Sequence, residues 1–156
     1  MKVAIFGQTL YAGVLAALLA ESGHQVFWCE LLKKPTLEQA YTQDEAVKQL
    51  LDKQQQNGFL RYCNFNDIPL DIDAYLFSFN PTEEAQGIEI LKEIKQRTII
   101  HPKLMINGST LGLHGTEKFE KILNQDEWVY LPDIIQEGNA LQSLVQAKQL
   151  IVGCVL

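Results

Sequence analysis

The first thirty residues constrain the fold of this chain more than any other stretch. Val3-Ala4-Ile5-Phe6 is a short apolar run ending at Gly7, as expected of a strand buried on both faces. Tyr11 to Ser22 is mostly Ala and Leu, which favour helix, and Gly23 follows where glycine commonly closes one. Gln25-Val26-Phe27-Trp28-Cys29 then reads as a second strand, ending at Glu30. Strand, glycine turn, helix and strand predict a βαβ unit with parallel strands and a right-handed crossover. A signal peptide would also open with a charge, here Lys2, and an apolar run. Gly7-Gln8-Thr9 and Gly13 break the run where a signal's apolar stretch would be continuous.

The same alternation continues. Helices are expected over Glu38 to Gln56, Thr82 to Gln96 (after the Asn80-Pro81 turn) and Thr116 to Leu123. Strands are expected over Asp73 to Phe79, Leu104 to Ile106, Trp128 to Leu131 (stopped by Pro132) and Leu150 to Val155. With no repeat or low-complexity linker, 156 residues predict one α/β domain with an open, mostly parallel sheet. Thirteen basic against 19 acidic residues, a net charge of −6, and no basic block argue against a nucleic-acid or anionic-membrane partner. Three widely spaced cysteines (Cys29, Cys63, Cys154) are odd in number and suggest reduced thiols in a cytoplasmic protein. No CxxC occurs and His24, His101 and His114 lie far apart, so no metal site is expected.

Open α/β sheets bind ligands at the carboxyl ends of their strands, where strand order reverses. Gly7-Gln8-Thr9-Leu10-Tyr11-Ala12-Gly13 lies where a dinucleotide pyrophosphate would meet a helix N-terminus. Gly7 suits the tight turn and Gly13 a close helix–strand contact. The outer glycines are six apart rather than the five of GxGxxG, and Leu10 replaces the central glycine. The segment therefore reads as either a phosphate loop or a structural turn. Glu30, 23 residues after Gly7, stands where an acid binds adenosine ribose hydroxyls and would repel a 2′-phosphate, favouring NAD over NADP. Taken alone, it reads equally as a solvated strand-end acid.

Met1 to Glu30 (MKVAIFG, YAG, LAESGHQV and an acid) resembles the N-terminus of the UDP-glucose/GDP-mannose dehydrogenase family. Gln56-Asn57-Gly58-Phe59-Leu60-Arg61-Tyr62 resembles the family's "GRLRF" entry to a strand, implying one over Leu60 to Phe65. Asn107 to Thr116 resembles "KSTVPVGT", Tyr130 to Ala140 "NPEFLREGxA", and Leu150-Ile151-Val152-Gly153 "RIVIG". The resemblance implies a Rossmann-type, doubly wound, three-layer α/β/α domain that binds NAD, and an enzyme oxidising the C6 alcohol of a nucleotide sugar. It implies that the segment from Gly7 to Gly13 with Glu30 binds NAD, and that Asn80 and Pro81 stand in the family's second cofactor turn. Thr110 matches a threonine beside the nicotinamide and the catalytic water. Asp133 and Glu137 match two glutamates; four residues apart, they would share a helical face. Asp133 also reads as a helix N-cap.

The departures shape the expectation. Besides Leu10, Gly108 replaces the lysine of "KST", Gly112 its proline, Phe79 a glycine of the family's "VGTP" turn, and Gln43 to Val47 the "YEPGL" loop. Leu10 and Phe79 are expected to fall where the cofactor passes. The family's central helix, sugar-binding domain, catalytic cysteine and sugar-binding lysine all follow the last matched strand, where this chain stops. Covalent chemistry needs a thiolate beside the hydride acceptor, and none of the three cysteines matches it. One reading is thus a domain that binds a dinucleotide or nucleotide, forms a homo-oligomer or joins a separate partner subunit, and depends on a missing or separate partner for chemistry. The other is a degenerate binding, regulatory or structural module. A self-sufficient short-chain reductase would need Tyr-x-x-x-Lys, which is absent.

Overall fold

The computed structural model describes residues 1–29, 44–97, 104–111, 114–124 and 127–154. Strands β1 (Lys2–Phe6), β2 (Gln25–Cys29), β3 (Leu60–Cys63), β4 (Ala74–Phe77), β5 (Leu104–Asn107), β6 (Trp128–Tyr130) and β7 (Gly153–Cys154) form one sheet. Its order is β3-β2-β1-β4-β5-β6-β7, parallel throughout except for β7, which runs antiparallel to β6. The helices are α1 (Leu10–Glu21), α2 (Glu45–Gln56), α3 (Glu84–Arg97), α4 (Gly115–Leu123) and α5 (Ala140–Val145). The chain is therefore a Rossmann-type doubly wound domain. Strand order reverses between β1 and β4, the point where such sheets open a crevice.

Alternation along the central strands divides the core in two. Val3, Ile5, Val26, Trp28, Leu60, Ala74 and Leu76 face α1, α2 and α5. Ala4, Phe6, Phe27, Tyr75, Phe77, Met105 and Trp128 face α3 and α4. Helix α1 is buried along most of its length because Ala12, Ala16, Ala17 and Ala20 let its backbone lie close to the sheet. The opposite layer is aromatic: Phe77 stacks on Phe6 at 5.3 Å and meets Phe79, Phe119 and Trp128 within 6.3 Å. No helix of the described residues is long and apolar enough to cross a membrane.

Several boundaries differ from those expected. Helix α2 begins at Glu45 because Asp44 is extended and its side chain accepts the Val47 N–H; residues 38–43 lie outside the described part. Strand β3 ends at Cys63, and Phe65–Asp67 is a single 3-10 turn. Another 3-10 turn, Pro81–Glu83, precedes α3, with Asn80 and Glu83 forming a capping box. The strand expected over Leu150 to Val155 is reduced to Gly153–Cys154; Leu150, Ile151 and Val152 are exposed at a sheet edge, and Val155 is outside the described residues. Helix α5 falls where the sequence predicts no helix. Asp44 helps to fix it, since the same buried carboxylate also accepts the Ala140 N–H at 3.4 Å.

Candidate functional site

The β1–β4 crevice is built on Gly7. Its φ is +110°, and a Cβ there would lie 1.7 Å from the Ser78 carbonyl oxygen, so the turn after β1 rests directly on the turn after β4. The indole of Trp28, fully buried at the end of β2, donates from Nε1 to the Gly7 carbonyl at 2.8 Å. Thr9 caps α1 by accepting the Ala12 N–H at 3.0 Å, and its Oγ1 shares a 2.5 Å hydrogen bond with Ser78 Oγ. The first turn of α1 holds no acid to offset the positive end of its dipole.

Among the other expected cofactor residues, Gln8 is buried in this turn and Leu10 opens α1, half-buried against the α1-side core. Ala12 and Gly13 are buried within α1, as close helix–sheet contact requires. Asn80 and Pro81 form the turn that starts the α3 segment. Glu30 lies outside the described residues, as do Gln43 and Gly112.

The expectation that Phe79 crosses the cofactor path is overturned. Its side chain is fully buried in the aromatic layer, 6.1 Å edge-on to Phe119. Gly87 of α3 makes the room: a Cβ there would come within 2.9 Å of the Phe79 ring. Only the Phe79 backbone faces the crevice, donating its N–H to Ser109 Oγ and accepting the Thr110 N–H.

Thr110 therefore sits beside the β4 turn, after a fixed polar chain. Asn107 Oδ1 accepts the Ser109 N–H, and Asn107 Nδ2 donates to Thr116 Oγ1 at 2.9 Å. Tyr11 crosses from α1, its hydroxyl donating to the Pro132 carbonyl at 3.2 Å, and burial raises its pKa well above the usual phenol value. A Cβ at 108 would meet the Tyr11 ring at 3.1 Å, a tight contact from which the ring would have to withdraw slightly.

Asp133 and Glu137 do not share a helical face, and Asp133 caps no helix. Residues 131–139 are irregular, because Asp133 Oδ1 accepts the Ile135 N–H, a local turn that competes with helix formation. Both residues are exposed. Crowding at the rim nonetheless raises the Asp133 carboxyl pKa by desolvation, against the lowering effect of its bond with Ile135.

Sequence reasoning missed a cavity of about 410 Å³ beyond the Asn107–Ser109 chain, between α4 and β5–β7. Thr116, Glu117, Tyr130 and Cys154 help to line it. Trp128 also lines it, and its buried Nε1–H has no hydrogen-bond partner among the described residues. His114, at the start of α4, adopts a left-handed φ of 65° and pairs with Glu117 at 2.9 Å, which holds that carboxyl below its usual range. The only sequence signal was position: Asn107 and Tyr130 are paired in register at the carboxyl ends of β5 and β6.

No protein-family model matches the sequence, and no curated protein matches it. Solved structures do match by fold. The UDP-D-ManNAc dehydrogenase from Pyrococcus horikoshii matches with a TM-score of 0.79 at 17% identity, over 98% of this chain and 41% of that one. The UDP-N-acetyl-mannosamine dehydrogenase from Staphylococcus aureus follows at 0.76 and 15%, over 98% and 41%. A UDP-glucose dehydrogenase from Pyrobaculum islandicum gives 0.74 and 14%, over 97% and 40%. The chain thus spans about two fifths of the length of these structures and shares the fold of that part.

Proposed function

We propose that this chain is a NAD-binding domain of the kind used by nucleotide-sugar 6-dehydrogenases, with chemistry that requires residues beyond these 156. The observation that carries the reading is the Gly7 turn. At the strand-order switch, a left-handed glycine pinned by Trp28 leads into a helix N-terminus free of acids, in a fold shared with three UDP-sugar dehydrogenases. That arrangement fits a pyrophosphate, and the turn of Phe79 into the core removes one of the two bulky side chains that the sequence placed in its way, leaving Leu10 at the start of α1.

In this reading, residues Gly7 to Gly13 hold the pyrophosphate. Glu30 takes the ribose hydroxyls, while Asn80, Pro81 and Thr110 flank the nicotinamide half. Bound NAD would supply a hydride acceptor for alcohol oxidation. The chain's own residues orient and manage protons. Tyr11 fixes the segment at Pro132, next to Asp133. Desolvation raises the Asp133 carboxyl pKa, so it holds a proton more readily than an ordinary aspartate. Glu137 is a second acid on the same exposed segment. The missing thiolate would come from a partner subunit or from chain beyond this domain.

A second reading is a binding or regulatory module without dehydrogenase activity. The Thr9–Ser78 bond favours it, because it ties the two sides of the crevice together at its base. Calorimetric titration with NAD and NADH separates the two. Saturable binding at micromolar to low-millimolar level, weakened at least tenfold in Glu30→Ala, is expected of the cofactor domain. No heat up to several millimolar would refute it and leave the module.

A further inference from the structure

Cys29 and Cys63, which no part of the cofactor reading uses, end neighbouring parallel strands in direct register. Both side chains lie on the α3/α4 face of the sheet, Cys29 within the core and Cys63 packed against it. Their Sγ atoms are 3.6 Å apart. Adjacent strands lie about 4.8 Å apart, inside the Cα separation a disulfide spans, and the sulfurs need to close by about 1.5 Å to bond.

The two thiols are unequal. Cys29 is buried, and burial together with the contact from Cys63 pushes its pKa up, so it rests as a thiol. Cys63 is half-buried and opens on a cavity of about 370 Å³. Arg61 and Asp67 line the same cavity, so a cation and an acid both stand near the more accessible of the two sulfurs. The pair therefore has the asymmetry of an attacking and a resolving cysteine. Cys154, exposed on β7, has no such partner among the described residues.

We propose that Cys29 and Cys63 form a reversible thiol–disulfide site, oxidised by a low-molecular-weight disulfide that enters through the Arg61-lined cavity. The Cys63 thiolate attacks one sulfur of the disulfide, RSSR, forming a mixed disulfide and expelling RS⁻. Cys29 then attacks the Cys63 sulfur, the Cys29–Cys63 bond forms, and the second RS⁻ leaves with the Cys29 proton as RSH. Two thiols are oxidised and one RSSR is reduced. The bond ties the ends of β2 and β3 together at the carboxyl edge of the sheet.

The test uses the full chain carrying Cys154→Ser, which removes the exposed thiol without touching either core. Folded protein is equilibrated in glutathione buffers of graded oxidised-to-reduced ratio, alkylated, and read by intact mass and peptide mapping. The expected result is joint loss of both alkylation sites, a Cys29–Cys63-linked peptide, and full reversal by dithiothreitol. Cys29→Ser should stall as a Cys63–glutathione adduct, and Cys63→Ser should leave Cys29 unmodified. Two intact thiols in fully oxidised buffer would overturn the proposal. So would a stable glutathione adduct on Cys63 with Cys29 present. The Cys154→Ser parent alone decides the matter if either core variant fails to fold.

Discussion

Replacing Gly7 by alanine tests whether the β1 turn is packed as tightly as described. Two costs combine. Alanine at a φ of +110° is strained whatever surrounds it, by about 1–3 kcal/mol. The new methyl would also lie 1.7 Å from the Ser78 carbonyl oxygen, so the β4 turn must withdraw. Withdrawal endangers the Ser78 N–H bond to the Phe6 carbonyl and the Thr9–Ser78 bond, each worth about 1 kcal/mol. The expected loss is about 3–5 kcal/mol, a large share of the roughly 5–15 kcal/mol that holds a typical domain. Gly23→Ala is the matched control: its φ is +85°, yet a Cβ there meets nothing within 4 Å. It should lose only the conformational part, about 1–2 kcal/mol. Urea unfolding followed by circular dichroism measures both. At a slope of about 1.5 kcal/mol per molar, Gly7→Ala should move the midpoint by about 2 M or more and Gly23→Ala by about 1 M. Losses equal within about 0.5 kcal/mol would mean that the turn does not rest on Ser78, and the crevice geometry would fall with it.

Trp28→Phe keeps the ring in the core but strands the Gly7 carbonyl; urea unfolding should show a loss of about 1–3 kcal/mol, with weaker NAD binding by calorimetry. Gly87→Ala should cost about 1–3 kcal/mol by overpacking Phe79, and Phe79→Leu in the same chain should recover part of it in a double-mutant cycle. Asp44→Ala removes the α2 N-cap and the tie to Ala140; a loss of about 1–2 kcal/mol is expected, with faster amide exchange in both α2 and α5. Asp133 binds its proton more tightly in the folded chain than its ordinary value of 3.8. Its contribution to stability must therefore fall as pH rises from about 3.8 through the raised folded value, and Asp133→Asn should flatten that part of the Tm-against-pH curve.

The sequence made the βαβ unit legible because the signals there are local and agree. An apolar run, a glycine that only a left-handed turn requires, an alanine-rich helix and a second apolar run leave little choice of register. The agreement fails where a residue's fate depends on a partner remote in sequence. Phe79 reads as an obstacle beside the crevice until Gly87, on the next helix, opens a pocket on the other side of the sheet. Asp133 and Glu137 read as one helical face because their spacing permits it, but Asp133 bonds to the Ile135 N–H and diverts the chain. Spacing states what a helix would do with two acids; it does not state that a helix forms. Asp44 shows the converse. Nothing local marks residue 44 as more than a cap, yet its second oxygen reaches Ala140, 96 residues on, and helps to fix a helix that no local pattern predicts. The same limit applies to the Asn107–Ser109–Thr116 chain: each residue is an ordinary polar group in sequence, and only the alignment of β5 with the start of α4 makes them one wall between crevice and cavity. The polar network beside the crevice is therefore least readable because it is most distributed, and the Gly7 turn, being local, is where the proposed cofactor reading can be tested first.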